Sequence, residues 1–208
     1  MASYVTPDEI RQLLNVDAEL LPDSLLNRYI DMAEGYVDRL TDTCWNGKTC
    51  TEEEYHDLGK FKGGVWWGIG IPVHLAKRYI KEIVSLKVFN GNEWEEWVGV
   101  RTEARNTGDY WVNYNEGKLY INAFWYYQGG REVYVKYTYG RSDLPPEVKE
   151  LTLIIAMMYV LTFEKRWASI IEGTGGIGIK DMIEQLRERK QQLEDMLRAV
   201  KIPRVEFT

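Results

Sequence analysis

The sequence predicts an α+β protein, a helical bundle of about four main helices with a small antiparallel β-sheet inserted between its two halves. Three observations lead there. Apolar residues recur at three- and four-residue steps in the first 40 residues and again after residue 144. Between residues 73 and 140 the period shortens to two. That middle stretch also holds 15 of the 27 aromatic residues, which suits strands rather than helices.

The first helix is announced by Thr6-Pro7-Asp8-Glu9. Threonine can cap the free N–H groups of the first turn, proline has the right φ for the first helical position, and a glutamate three residues on completes a capping box. Ile10, Leu13 and Leu14 give it one apolar stripe, so a short helix ends near Leu14. After a connector, Pro22-Asp23-Ser24 opens a longer helix. Its stripe is Leu25, Leu26, Tyr29, Ile30, Ala33, Tyr36, Val37 and Leu40, with Asn27, Arg28, Asp31, Glu34 and Asp38 opposite. Residues 41–72 contain seven Gly/Pro interruptions and no sustained period, which predicts a long loop. Trp45, Trp66 and Trp67 argue that this loop packs onto something.

In the inserted segment, Val84, Leu86 and Val88 alternate, Asn90-Gly91 is a hairpin turn signal, and residues 94–98 return. A second hairpin runs through residues 110–114, Asn115-Glu116-Gly117 and residues 119–121, and Val133, Val135, Tyr137 and Tyr139 make a last strand. Leu144-Pro145-Pro146-Glu147 then starts a helix whose middle, residues 151–163, is apolar nearly all round and therefore central. A glycine-rich loop at 172–178 leads to a charged amphipathic helix from Asp181, with Ile183, Leu186, Leu193, Leu197 and Val200 as its stripe. The expected layout is one connector-type domain, with 1–40 and 141–200 as helical core, 41–72 as loop, 73–140 as β subdomain and 201–208 as tail.

Composition narrows the function classes. The chain has 208 residues, 45% hydrophobic and 28% charged, an ordinary globular balance. A chain this long buries about 70% of its unfolded surface and needs no disulfide or metal staple. Two cysteines exclude a disulfide-rich secreted scaffold. The opening MASYVTPDEI lacks a basic and an apolar signal region, and the apolar run at 151–163 is too short to span a bilayer, so a soluble intracellular protein is expected. Residues 1–70 hold six basic and thirteen acidic residues, residues 71–140 nine and eight, and residues 141–208 eleven of each. With no basic surplus of any size, tight sequence-independent DNA binding is not expected.

Candidate chemistry can be weighed motif by motif. Gly173-Thr174-Gly175-Gly176-Ile177-Gly178 is a literal G-x-G-x-x-G, but a helix rather than a strand precedes it, so a helix–helix connector is favoured over nucleotide binding. Cys44, Cys50, His56 and His74 lack the short knuckle spacing of a zinc site, and free thiols are favoured over a Cys44–Cys50 disulfide. Glu52-Glu53-Glu54 with Asp57 offers carboxylates, yet consecutive glutamates are usually a solvated run, and no nucleophile triad can be assembled. No enzyme, cofactor or metal is therefore expected. Trp94, Trp97, Trp111, Trp125, Tyr126 and Tyr127 could form a sugar-stacking platform or a protein interface. Phe124-Trp125-Tyr126-Tyr127 points to both faces of a strand, which suggests that a partner covers part of it.

The order of these features resembles the head–tail connector (head-completion or adaptor) proteins of tailed bacteriophages and related archaeal viruses. The resemblance is carried by the run from Tyr4-Val5-Thr6-Pro7 to Leu13-Leu14, by Ala33-Glu34-Gly35-Tyr36-Val37 within the second helix, by Val135-Lys136-Tyr137-Thr138-Tyr139-Gly140, and by Leu144-Pro145-Pro146-Glu147-Val148-Lys149 with the apolar helix after it. The Trp-rich 41–72 stretch and the size of the sheet depart from the smaller all-helical members. The resemblance implies a virion protein, assembled in the host cytoplasm, that forms a dodecameric ring of its own copies beneath the portal protein. Such a ring extends the channel for passing double-stranded DNA without gripping it and offers a surface to the tail or next connector, with no membrane involved. Interface candidates are then Phe124, Trp125, Tyr126, Tyr127, Trp111, Leu193 and Leu197. Gly173, Gly175, Gly176 and Gly178 are candidates for a channel or docking loop. The alternative is a carbohydrate- or host-surface-binding module using the Trp/Tyr-rich sheet.

Overall fold

The computed structural model describes residues 3–58, 70–105, 107–122, 133–164 and 179–200. The chain divides into two compact units, one made of Met1–Asn46 with Ser142–Thr208 and the other of Gly47–Arg141. Among the described residues the regular elements of the first unit are helices and those of the second, inserted within it, are strands.

The helical unit contains α1 (Pro7–Leu14), α2 (Asp23–Thr41), α3 (Pro146–Phe163) and α4 (Ile179–Val200). The capping box at Thr6 forms as the sequence predicts. The Glu9 N–H donates to Thr6 Oγ1 at 3.3 Å and the Thr6 N–H to Glu9 Oε2 at 2.8 Å. Lys149 on α3 meets the other oxygen of the same carboxylate at 2.6 Å, which ties the start of α1 to α3. Arg11 fastens the other end of α1. Its Nε and Nη2 donate to the Leu21 carbonyl at 3.0 and 2.9 Å, and its guanidinium also pairs with Asp8 and Asp23. The core forms where the stripes of α1 and α2 meet α3, among Ile10, Leu26, Ile30, Ala33, Val37, Leu151, Ile155 and Val160. α3 buries nine residues over eighteen, consistent with its expected central place. Its one buried hydroxyl, Thr152, is satisfied by donating to the Val148 carbonyl at 2.8 Å.

The insertion departs from the expected single sheet. A four-stranded antiparallel sheet has the order β1 (Cys50–His56), β7 (Val133–Tyr139), β3 (Ile80–Phe89), β4 (Trp94–Glu96). A three-stranded antiparallel sheet has the order β2 (Ile71–His74), β6 (Lys118–Ile121), β5 (Tyr110–Asn113). The predicted loop at 41–72 therefore contains one whole strand and the start of another. β7 lies between two neighbours and shows strict alternation, with Val133, Val135, Tyr137 and Tyr139 buried and Tyr134, Lys136 and Thr138 half-buried. The insertion has its own apolar interior, which includes Val73, Ile83, Leu86, Val88, Leu119 and Ile121.

The two ends of the insertion meet. The Gly47 N–H donates to the Arg141 carbonyl at 2.9 Å. Lys81 Nζ closes the same turn by donating to the Gly47 and Lys48 carbonyls at 3.1 and 3.0 Å and to Thr49 Oγ1 at 3.0 Å. On the helical side, the Asn46 N–H donates to the Asp143 carbonyl at 3.2 Å.

Candidate functional site

The acidic run lies on β1, where alternation separates its members. Glu52, Glu54 and His56 take one face, and Glu53 and Tyr55 take the other. Each carboxylate already has a partner. Glu52 meets Lys77 at 3.8 Å, and Glu53 accepts the Tyr134 hydroxyl at 2.9 Å with Lys136 at 3.9 Å. Glu54 accepts the Tyr137 hydroxyl and the Ala76 N–H, and His56 Nε2 lies 3.0 Å from it. Burial raises the Glu54 carboxyl, but these donors outweigh it and hold the group below the usual carboxylate value. Tyr137 is pushed well above a normal phenol, first by burial and then by Glu54. A low-pKa carboxylate held between a tyrosine and a histidine fixes a sheet. It is not poised to deliver a proton near neutral pH.

The cysteines are not the free thiols that the expected reducing compartment favoured. Cys44 and Cys50 are disulfide-bonded. Asn46 (φ 54°) and Gly47 (φ 74°) stand consecutively in the left-handed region and reverse the chain between them, which spacing alone does not reveal. With both sulfurs bonded to each other, the four-ligand set Cys44, Cys50, His56 and His74 cannot form in this state. Gly173, Gly175, Gly176 and Gly178 lie outside the described residues, as do Trp66, Trp67, Phe124, Trp125, Tyr126 and Tyr127.

The described aromatic candidates separate into three environments. Trp97 is 2% exposed and belongs to the interior, where it contacts Tyr110 at 6.3 Å. Trp111 stacks on Tyr120, its cross-strand partner, with centroids 4.0 Å apart and planes 2° from parallel, while the Arg105 guanidinium sits 5.0 Å from its centre. A ring so covered has no open face for a sugar. Trp94 is 41% exposed and belongs to an aromatic strip across the four-stranded sheet. Phe89 lies 5.6 Å from it, Tyr55 6.4 Å, and Tyr134 4.9 Å from Tyr55. These rings are mutually tilted by 51° to 76° and do not form a flat platform.

In the helical unit, Leu193 is 0% exposed within the unit's own core, and Leu197 packs half-buried beside it. α4 is held there by polar contacts as well. Glu194 accepts the Tyr36 hydroxyl at 2.6 Å and pairs with Lys190 at 3.0 Å, and Arg189 grips Glu150 of α3 through Nε at 2.7 Å and Nη2 at 3.0 Å. Other apolar side chains of this unit stand out in solvent. Leu13 is 57% and Leu20 52% exposed, and Phe163 and Met196 are also exposed. Sequence reasoning did not single out Leu13 and Leu20 as surface residues. Each has a buried leucine as its neighbour, Leu14 or Leu21, and nothing in the composition of either pair tells which member is exposed.

No helix among the described residues is long and apolar enough to cross a membrane. No protein-family model matches the chain, and no curated protein matches it. Solved structures similar to it over most of both chains include two. One is a chain from the neck of an empty gene transfer agent (GTA) particle computed with C6 symmetry, with 15% identity, a TM-score of 0.47, and coverage of 86% of this chain and 87% of that one. The other is a chain from the virion of a native GTA particle, with 15% identity, a TM-score of 0.45, and coverage of 88% and 91%. Likenesses this weak bear on neither fold nor function.

Proposed function

We propose that this chain is a structural virion protein, a head–tail connector (adaptor) whose copies close a dodecameric ring beneath the portal. The ring extends the DNA channel and presents the surface on which the tail or next connector docks. The observation that carries this reading is a contrast within the described residues. The candidate catalytic groups Glu52, Glu53, Glu54 and His56 are each engaged by a partner within the chain, while Leu13, Leu20, Tyr55, Trp94, Phe163 and Met196 stand exposed. Exposed large apolar side chains in number point to covering by another protein surface rather than to chemistry in a pocket. The ordered resemblance supports the same reading, since the stretches that carry it include the capped α1, the α2 stripe, the end of β7 and the start of α3. A neutral or weakly acidic channel wall also suits DNA that must slide rather than be held.

The test is assembly. Native mass spectrometry and negative-stain microscopy of the purified chain, with and without portal-bearing heads, should show rings that form with rising concentration or on the portal. A protein that stays monomeric under both conditions and never copurifies with virions would overturn the reading. The alternative, a carbohydrate- or host-surface-binding module using the Trp/Tyr-rich sheet, loses Trp111 as a stacking residue, because Tyr120 and Arg105 already cover its ring.

A further inference from the structure

Two exposed corners of the chain have complementary chemistry. The first is the connector between α1 and α2. Leu13 and Leu20 are exposed there, with Asp17 and Glu19 exposed between them and in no ion pair. Its backbone is fixed, because the Leu20 and Leu21 N–H groups both donate to the Asp17 carbonyl at 3.2 Å and Arg11 clamps the Leu21 carbonyl. It lies in the most acidic part of the molecule, since residues 1–46 contain nine acidic and three basic residues.

The second corner is the β2–β3 connector. Arg78 is exposed with no ion-pair partner of its own, the neighbouring Glu116 being paired with Lys118 at 2.6 Å. Tyr79 is 38% exposed and sits at φ 55°, an uncommon backbone conformation for an aromatic residue. It is held by donating its N–H to the Asn115 carbonyl at 3.3 Å and accepting the Gly140 N–H at 3.0 Å, and its ring is covered by the Arg141 guanidinium at 4.6 Å. Lys81 follows, its ammonium bound only by uncharged oxygens.

We propose that the Leu13–Asp17–Glu19–Leu20 corner docks on the Arg78–Tyr79–Lys81 corner of a second copy of this chain. This rests on the ring reading above and names the contact that would build the ring. Tyr79 offers the part of its ring that Arg141 leaves exposed to the two leucines, and the unpaired carboxylates meet the cations. Neither corner matches itself, so the contact joins unlike patches head to tail, the kind of interface that closes a ring when its rotation allows. A nucleic-acid phosphate would also suit Arg78, but it leaves the exposed leucines and acids without a counterpart.

The experiment uses the full chain and two charge-reversed variants, Asp17→Lys with Glu19→Lys, and Arg78→Glu, all at exposed positions. Circular dichroism checks that each is folded, and sedimentation velocity and native mass spectrometry read assembly. Each variant alone should need about tenfold more protein to assemble. An equimolar mixture should recover assembly, because every junction between unlike copies then joins opposite charges. If both variants form rings as the parent does, this contact is wrong and the ring reading survives. Poor assembly of each variant with no recovery in the mixture also removes the contact. If the Arg78→Glu variant keeps assembly but loses binding of a labelled random-sequence DNA duplex, the corner is a phosphate site instead. A parent chain that never assembles, even on portal-bearing heads, overturns both readings.

Discussion

Glu194 is a carboxylate with almost no access to water, and a buried charge is tolerated only when donors surround it. Burial by itself raises its pKa, but Tyr36 and Lys190 outweigh that, helped by the charge of Arg198, and the folded value falls below the ordinary glutamate value of 4.5. A folded pKa below the unfolded one contributes stability that is fully present above about pH 4.5 and is lost as the pH falls through the lowered value. Acid should therefore loosen the docking of α4. Hydrogen exchange of α4 amides between pH 3 and 6 should show protection lost on the acid side, and Glu194→Gln should flatten that dependence. An unchanged acid limb in the variant would remove Glu194 as its source. Tyr36→Phe deletes one donor to the same group and should cost about 1–3 kcal/mol in urea unfolding.

Among the elements, α4 is a polar helix with one fully buried apolar side chain among its described residues. Leu193 and Glu194 are its only buried residues among the described side chains, so Leu193→Ala should lower stability by about 2–5 kcal/mol, read by urea unfolding. In the insertion, the turn between β5 and β6 is set by Gly117 at φ 66°, where a Cβ would run into the Lys77 carbonyl. Gly117→Ala should displace the β2–β3 connector, and amide shifts at Arg78 and Tyr79 would report it. The helices were legible because their signals are local, as in the Thr6–Glu9 box and the three- and four-residue stripe of α2. β1 was not legible. Its alternation is one of burial rather than polarity, and Glu52-Glu53-Glu54 shows no period in composition although its members face opposite sides. The division into two sheets was hidden for another reason, since β1 pairs with β7 some eighty residues away and β2 pairs with β6 rather than β3. The aromatic count located the β region but not its surfaces. Trp97, Trp111 and Trp94 have the same composition signal and end buried, self-stacked and exposed respectively.

At the scale of the whole molecule, a helical unit built from two separated stretches carries a continuous β unit between them. Each has its own buried apolar residues, and the helical core named above draws on no residue of the insertion. Replacing residues 47–141 by a short Gly/Ser linker should therefore leave a folded helical protein, with far-UV circular dichroism showing helix and a cooperative thermal transition. Loss of cooperative folding in that variant would show that the helical unit depends on its insertion. The peptide groups of Gly47 and Arg141 touch across the entry and exit of the β unit, and that closeness acts as a socket. A foreign domain with equally close termini can be seated at this junction without stretching the helices that hold it. A fluorescent or affinity cargo grafted there would label the helical unit while both ends of the chain stay untagged.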